Sequence, residues 1–514
     1  MKHKINGEIK YLIVQAGGKG ARMSYLTENK PKCLISVRGE PLLYSLAKAF
    51  PKADFYIISD YKSDVLERYL KAIPSKFNYE VVKVSGKGTC AGIQKARNLI
   101  PKGESFAIVW SDLFFDEKIK IPLQLVNKNC IGLTKNIKCR WIYKDGKLTE
   151  TPGKDAGVIG FFYFGDPQKL PEIPSDGEFV KFVSEKVQDI VPLLIDKVCE
   201  VGTLESFTKI QKQEVNSRFF NYVEFIGDRV VKRARDSSFS VLLEREAKWY
   251  KYVANHGYSY IPEIYNYKPY LEMERINGIH PYECVGLDKK LRARVLKKIF
   301  DALEKLHSID LINSSKDVLN EVYAGKTLQR ISKISLLIPE PETEFYVVNG
   351  RKVRNLLVDK FKVIIQEAVN TLEVPEKFSV IHGDPTFSNI MIKGEKPILF
   401  DPRGYFGSLE IFGDPMYDFA KLYYSVAGNY DQFNQRNFRL HINGKEVFVE
   451  VKSNGWEDVV ELFDEKFGNK IREIKILHAL IWLSLAGYVL DDYDSILAAY
   501  FHGLELFEEA VENL

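Results

Sequence analysis

Short apolar runs alternate with helical patterns through the first 110 residues, and this alternation restricts the start of the chain to a layered α/β fold. Residues 11–16 (YLIVQA) form an apolar run that stops at Gly17-Gly18, the pattern of a strand buried on both faces. A helical pattern follows over 42–49, then a strand over 55–59, a helix over 64–70, a strand over 80–84, a helix over 92–99 and a strand over 106–110. Strands separated by helices pair in parallel, with helices on both faces and ligands at the carboxyl ends of the strands. Residues 158–164 add a further strand.

The pattern changes after about residue 210. Residues 219–225 and 229–233 read as two strands joined at Gly227-Asp228, and a long helix follows around 241–253. From Asp288 onward long amphipathic helices dominate, interrupted by an apolar β-like stretch over 379–400. A small β-rich lobe followed by a helical lobe therefore succeeds the α/β region. A chain of 514 residues is too long for one ordinary core. The expected divisions are 1–205, 206–280 and 281–514, with no Pro/Gly-rich linker near 206.

Composition excludes several classes. The 73 basic and 69 acidic residues leave a net charge of only +4, with no basic block of the kind a nucleic-acid binder carries. The six cysteines are scattered without a C-x-x-C pair, which is neither a zinc spacing nor a disulfide framework and suits a reducing compartment. Residues 1–10 lack the regions of a signal peptide, and no run approaches eighteen apolar residues. A cytoplasmic protein acting on small molecules, without membrane or nucleic-acid partners, is expected. The sequence leaves its oligomeric state open.

Two constellations carry chemistry. In the first, Gly17-Gly18-Lys19-Gly20-Ala21-Arg22 directly follows a strand, so glycine amides can face phosphate oxygens while Arg22 supplies a fixed fork. Taken alone this is also a common strand–helix turn. The longer pattern, GGKGARM followed by LTENKPKCLISVRGEPLL, resembles the opening of sugar-phosphate nucleotidyltransferases and cytidylyltransferases. The resemblance continues through Gly88-Thr89-Cys90-Ala91-Gly92, Ser111-Asp112, the segment from Glu150 to Pro152, residues 157–164 and Glu200-Val201-Gly202-Thr203. It implies a Rossmann-like mixed sheet. In it Gly17, Gly18, Gly20, Gly88 and Thr89 would contact nucleotide, Asp112 and Glu200 would hold Mg²⁺, and Arg22 and Lys32 would act on the phosphates. Glu200 departs from the family's usual Asp.

In the second, His382-Gly383-Asp384-Pro385-Thr386-Phe387-Ser388-Asn389 lies between apolar runs, and Phe400-Asp401-Pro402-Arg403-Gly404 follows the next one. An Asp five residues before an Asn, with a second Asp twelve residues later, suits metal-assisted phosphotransfer. These motifs, with Gly413-Asp414-Pro415 and Asp418-Phe419-Ala420, resemble the aminoglycoside phosphotransferase and choline kinase superfamily. The resemblance implies an α+β bilobal protein-kinase-like domain with Asp384 as base, Asn389 and Asp401 as metal ligands and Asp418 in a structural role. Lys232 would contact nucleotide and pair with Glu246, and Glu274 would mark the hinge near adenine. On their own, Lys232 and Glu246 read as solvated charges. Residues 217–221, in the phosphate-loop position, contain no glycine.

Together the resemblances imply an enzyme that phosphorylates a small hydroxyl compound with ATP. It would then couple the product to a second NTP, CTP or UTP, to give a donor for surface polysaccharide. Choline is one alternative substrate, and its quaternary ammonium would need an aromatic cage. Tyr423, Tyr424, Trp482 and Tyr488 are available, although aromatics at helical spacing read first as core. A different alternative makes one domain a non-catalytic binding module.

Overall fold

The computed structural model describes residues 7–75, 77–86, 88–212, 221–235, 240–284 and 286–512. The chain divides into two units, Met1–Glu214 with Asp491–Tyr493, and Val215–Leu490 with Asp494–Leu514.

In the first unit the strands Tyr79–Lys83, Asp54–Ser59, Tyr11–Gln15 and Phe106–Trp110 lie side by side in parallel, within a nine-stranded sheet. Leu12, Ile13 and Val14 are fully buried at its centre. Each gains about 1.5–3 kcal/mol over exposure, which explains why an uninterrupted apolar run marks this strand. Helix Thr89–Leu99 lies against the sheet on Cys90, Ile93 and Ala96. A Cβ on Gly92 would come within 2.5 Å of Ile58 Cγ2, so this close approach needs glycine. The sheet continues with Gly157–Phe164, which runs antiparallel to Phe106–Trp110, so it is mixed rather than wholly parallel. A separate antiparallel ladder joins Val198–Glu200 to Leu113–Phe115 and places Glu200 opposite Leu113.

The second unit opens with a four-stranded antiparallel sheet formed by Asn221–Ile226, Arg229–Ala234, Leu271–Glu274 and Ile264–Asn266. Helix Ser240–Asn255 buries Leu243, Trp249, Tyr250 and Val253. The following lobe is built on helices Lys289–His307, Pro415–Val426 and Ile471–Ala486, and the last is buried along nearly its whole length. The strands Lys377–Val380, Ile390–Lys393 and Lys396–Leu399 frame the residues between them.

Helices do dominate after 288, but β structure there also occurs outside 379–400. Hairpins Phe345–Val348/Arg351–Arg354 and Phe438–Asn443/Glu446–Val451 form a second four-stranded sheet, joined where Val347 pairs with Glu446. Asn349-Gly350 turns the first hairpin with both residues at positive φ, the two-residue geometry that matches strand twist. Among the described residues, no helix is long and apolar enough to cross a membrane.

Candidate active sites

The first site grows from the end of strand Tyr11–Gln15. Gly20, at φ 64°, breaks the chain into the 3-10 turn Ala21–Thr27, and its carbonyl accepts from Met23 N at 2.8 Å and Thr27 Oγ1 at 3.2 Å. A Cβ on Gly20 would lie 3.4 Å from Lys32 Cβ, so the turn packs onto Lys32. Lys32 Nζ reaches Asp112 Oδ2 at 2.6 Å, and both side chains are largely buried. The ladder beyond Asp112 brings in Glu200, with Val201 N donating to the Asp112 carbonyl at 2.8 Å. Burial and the neighbouring Asp112 push the Glu200 carboxyl above its usual range, while Lys32 and Arg22 oppose them. Arg22, Lys32, Asp112 and Glu200 are therefore brought together.

Gly17 packs against Asp60, and nothing stands within 4 Å of where a Gly18 Cβ would lie. Gly88 and Thr89 are fastened to a different segment. The Gly177 carbonyl lies 2.3 Å from a Gly88 Cβ position, and Thr89 Oγ1 accepts from Phe179 N at 2.8 Å. Among the described residues, no hydrogen bond ties Gly88 or Thr89 to the Lys32–Asp112 pair.

The pairing of Asp112 with Glu200 bears on Mg²⁺. Asp112 raises the proton affinity of Glu200, and Lys32 meets one Asp112 oxygen. Among the described residues no group of three or more His, Cys, Asp or Glu forms a metal cage. An oxygen-only pair fits Mg²⁺, which takes one or two carboxylates and completes its shell with substrate phosphates and water.

The second site is assembled around residues 381–389. Asp418 is fully buried and accepts from the amides of His382 at 2.8 Å and Gly383 at 2.7 Å, with His307 Nε2 at 3.0 Å. These contacts fix the loop that presents Asp384. Asn389 Nδ2 donates to the Asp384 carbonyl at 2.8 Å and to its Oδ2 at 3.2 Å, which draws the Asp and the Asn together. Asp401, at φ 58°, donates its amide to Tyr250 OH at 3.1 Å. Lys232 Nζ bonds to Glu246 Oε1 at 2.7 Å and pairs with Asp401 Oδ1. Lys232 is 6% exposed and Glu246 7%, so the reading of them as solvated charges is corrected: they form a buried pair. The carboxylate of Asp401 and the side-chain oxygen of Asn389 again form an oxygen donor set that fits Mg²⁺.

Glu274 sits apart from this group. Its carboxylate pairs with Lys393 at 2.5 Å, its amide donates to the Glu263 carbonyl, and the next amide, Arg275 N, donates to Asp228. Residues 217–220 of the glycine-free loop lie outside the described residues. Tyr423, Tyr424 and Trp482 are core side chains, with Trp482 Nε1 donating to His478 Nε2 at 2.9 Å. Tyr488 is exposed under the Arg330 guanidinium.

A lysine that the sequence motifs did not single out also meets this site. Lys421 Nζ lies 2.9 Å from Asp384 Oδ1. Its spacing of three residues from Asp418 on one helix was the available signal, because both then share the face turned to the loop.

A nucleotidyl transferase family model matches residues 11–131, and a phosphotransferase enzyme family model matches 206–447. The 2-C-methyl-D-erythritol 4-phosphate cytidylyltransferase of Fusobacterium nucleatum is 31% identical over 170 residues, covering 30% of this chain and 71% of that protein. A bifunctional protein GlmU of Methanococcus maripaludis is 26% identical over 125 residues, 24% of this chain and 29% of that protein. The chain thus spans less than a third of that relative. The solved CTP:phosphocholine cytidylyltransferase of Streptococcus pneumoniae shares 15% identity at a TM-score of 0.32, over 40% of this chain and 99% of that one.

Proposed function

Because the chain belongs to the nucleotidyltransferase family in its first unit and to the phosphotransferase enzyme family in its second, we propose that it activates one small hydroxyl compound in two successive transfers. A sugar, polyol or amino alcohol would first take the γ-phosphoryl group of ATP in the second unit. Its hydroxyl oxygen bonds to the γ-phosphorus, the bridge to the β-phosphate breaks, ADP leaves, and the hydroxyl proton passes to Asp384. In the first unit, the new phosphate attacks the α-phosphorus of CTP or UTP and pyrophosphate leaves. The product is a nucleotide-linked donor suited to building surface polysaccharide. CTP is favoured because the relative of 31% identity is a cytidylyltransferase. The use of ATP and CTP as substrates supports a cytoplasmic reaction.

One observation carries the reading: each unit gathers its own charged constellation, Lys32 with Asp112 and Glu200 in the first, and Lys232, Glu246 and Asp401 near Asp384 and Asn389 in the second. Lys32 and Arg22 face the triphosphate and offset charge that builds as the acceptor phosphate attacks. Lys232, held by Glu246, would contact the phosphates of ATP. Asp112 and Glu200 in one unit, and Asn389 and Asp401 in the other, would hold Mg²⁺, which both kinds of transferase generally use and which would neutralise phosphate charge.

The test uses the purified chain with ATP, CTP, Mg²⁺ and a panel of hydroxyl compounds, with products read by mass spectrometry. A nucleotide-linked product is expected with the intact chain. Asp384→Asn should abolish phosphorylation yet still convert a supplied phosphorylated acceptor, and Asp112→Asn should accumulate that intermediate. Absence of any nucleotide-linked product from the folded chain would count against the proposal.

A further inference from the structure

Three more cations stand beside Asp384 and its partner Lys421, and the metal and nucleotide assignments use none of them. Arg403 is anchored to the catalytic loop, its amide donating to the His382 carbonyl at 2.8 Å and its side chain packing over Gly383. Arg403 Nη1 donates to Tyr417 OH at 3.2 Å, and Lys326 Nζ lies 5.9 Å from the centre of that same ring. Arg330 follows Lys326 by one turn of helix Lys326–Lys333, a like-charge spacing that weakens a helix unless something offsets it. Its Nη1 donates to the Ser484 carbonyl at 3.2 Å.

All four cations are half-buried, so they line a recess rather than extend into bulk water. Among the described residues, only Lys421 of the four has a carboxylate within ion-pair reach, and that carboxylate is Asp384. The local potential shows in the neighbours. Burial, then Arg403, Arg330 and Lys421, push Lys326 well below its usual value, and Asp384 offsets only part of this. Burial alone would raise the Tyr405 phenol, yet Arg403, Arg330 and Arg245 hold it below its ordinary value.

We propose that the hydroxyl compound phosphorylated at Asp384 carries an anionic group, a carboxylate or a phosphate, that is bound by Lys326, Arg330 and Arg403. This rests on the kinase reading of the second unit and narrows its substrate class. A cationic acceptor would meet repulsion from all three groups, and the aromatic side chains that could cage one are buried in the core or stacked on Arg330. Lys232, paired with Glu246 and Asp401, is the cation assigned to ATP, whereas the cluster adjoins Asp384, the group that takes the hydroxyl proton, through Arg403 and Lys421. The transfer itself is unchanged: the acceptor oxygen bonds to the γ-phosphorus, its proton goes to Asp384 and ADP departs, while the anionic group stays intact and serves as a handle.

The test is ADP release by the full chain with ATP and Mg²⁺, comparing glycerol, glycerate, glycerol 3-phosphate and choline. Glycerate and glycerol 3-phosphate separate a carboxylate handle from a phosphate one. One of these anions is expected to exceed glycerol in kcat/KM by about a hundredfold or more, because a recess lined by half-buried charged donors rejects a ligand that leaves them unpaired. Arg330→Gln should raise KM for that anion about tenfold while KM for ATP stays within about twofold, and Arg330→Lys should recover part of the loss. Preference for glycerol or choline overturns the anionic assignment and leaves the kinase reading standing. If no acceptor releases ADP, thermal melting with the same four compounds decides. A Tm rise with an anion that Arg330→Gln removes supports the proposal, and no rise with either anion overturns it. Failure of ATP itself to raise Tm counts instead against the kinase reading.

Discussion

At the residue scale, Lys232 shows how much depends on burial. Its ammonium serves two carboxylates, Glu246 and Asp401, in a nearly water-free setting. Lys232→Met takes away the ammonium that both carboxylates share, and removing one partner of a buried pair costs about 3–5 kcal/mol. The urea midpoint should fall accordingly, with phosphoryl transfer lost and nucleotidyl transfer by the first unit retained. Gly202 offers a counterpart there. A Cβ at this position would stand 2.4 Å from Glu200 Oε1. Gly202→Ala should therefore displace that carboxylate and lower the rate of nucleotide coupling by about tenfold or more, without touching ADP formation. The sequence displayed these residue types and their spacing. It did not show that Lys232 and Glu246 are buried, because an ion pair formed by a strand and the following helix looks like surface charge until the packing around it is known. The cluster of Lys326, Arg330 and Arg403 was hidden for a related reason: two of its members come from a helix far upstream of the motif they join.

At the element scale, the loop from 381 to 389 is held from outside by carboxylates on neighbouring helices. Asp418 fastens one end and Asp431 the other, with Asp431 Oδ1 accepting from Ser388 N at 2.7 Å. Burial pushes the Asp431 carboxyl from its ordinary 3.8 up to about 6, against the hydrogen bonds from Ser425 and Ser388. A carboxyl whose folded pKa is raised stabilises the fold fully below its unfolded value and loses that contribution as pH rises through the folded one. The protein should lose up to about 3 kcal/mol from this residue between pH 4 and 7, and Asp431→Asn should flatten that slope in urea titrations. The parallel strands and their helices were legible because apolar runs and 3.6-residue periods survive in sequence. The hairpins at 345–354 and 438–451 were not, since alternation over four to six residues is weak beside long helical stretches. The Asn349-Gly350 turn was the readable sign.

At the scale of the whole molecule, the central claim is one polypeptide performing two consecutive transfers on one compound. The pairing of families gave the order of events from sequence alone, because a kinase product is what a nucleotidyltransferase consumes. The charge of the acceptor needed the structure, since only the fold gathers the cations beside Asp384. The most direct measurement supplies the intact chain with ATP whose γ-phosphate carries heavy oxygen, unlabelled CTP, Mg²⁺ and the preferred anionic acceptor, and then fragments the product by mass spectrometry. The two-transfer sequence requires the label in the phosphate adjoining the acceptor, with the released pyrophosphate unlabelled. A nucleotide-linked product without label, or label confined to free phosphate, would contradict it.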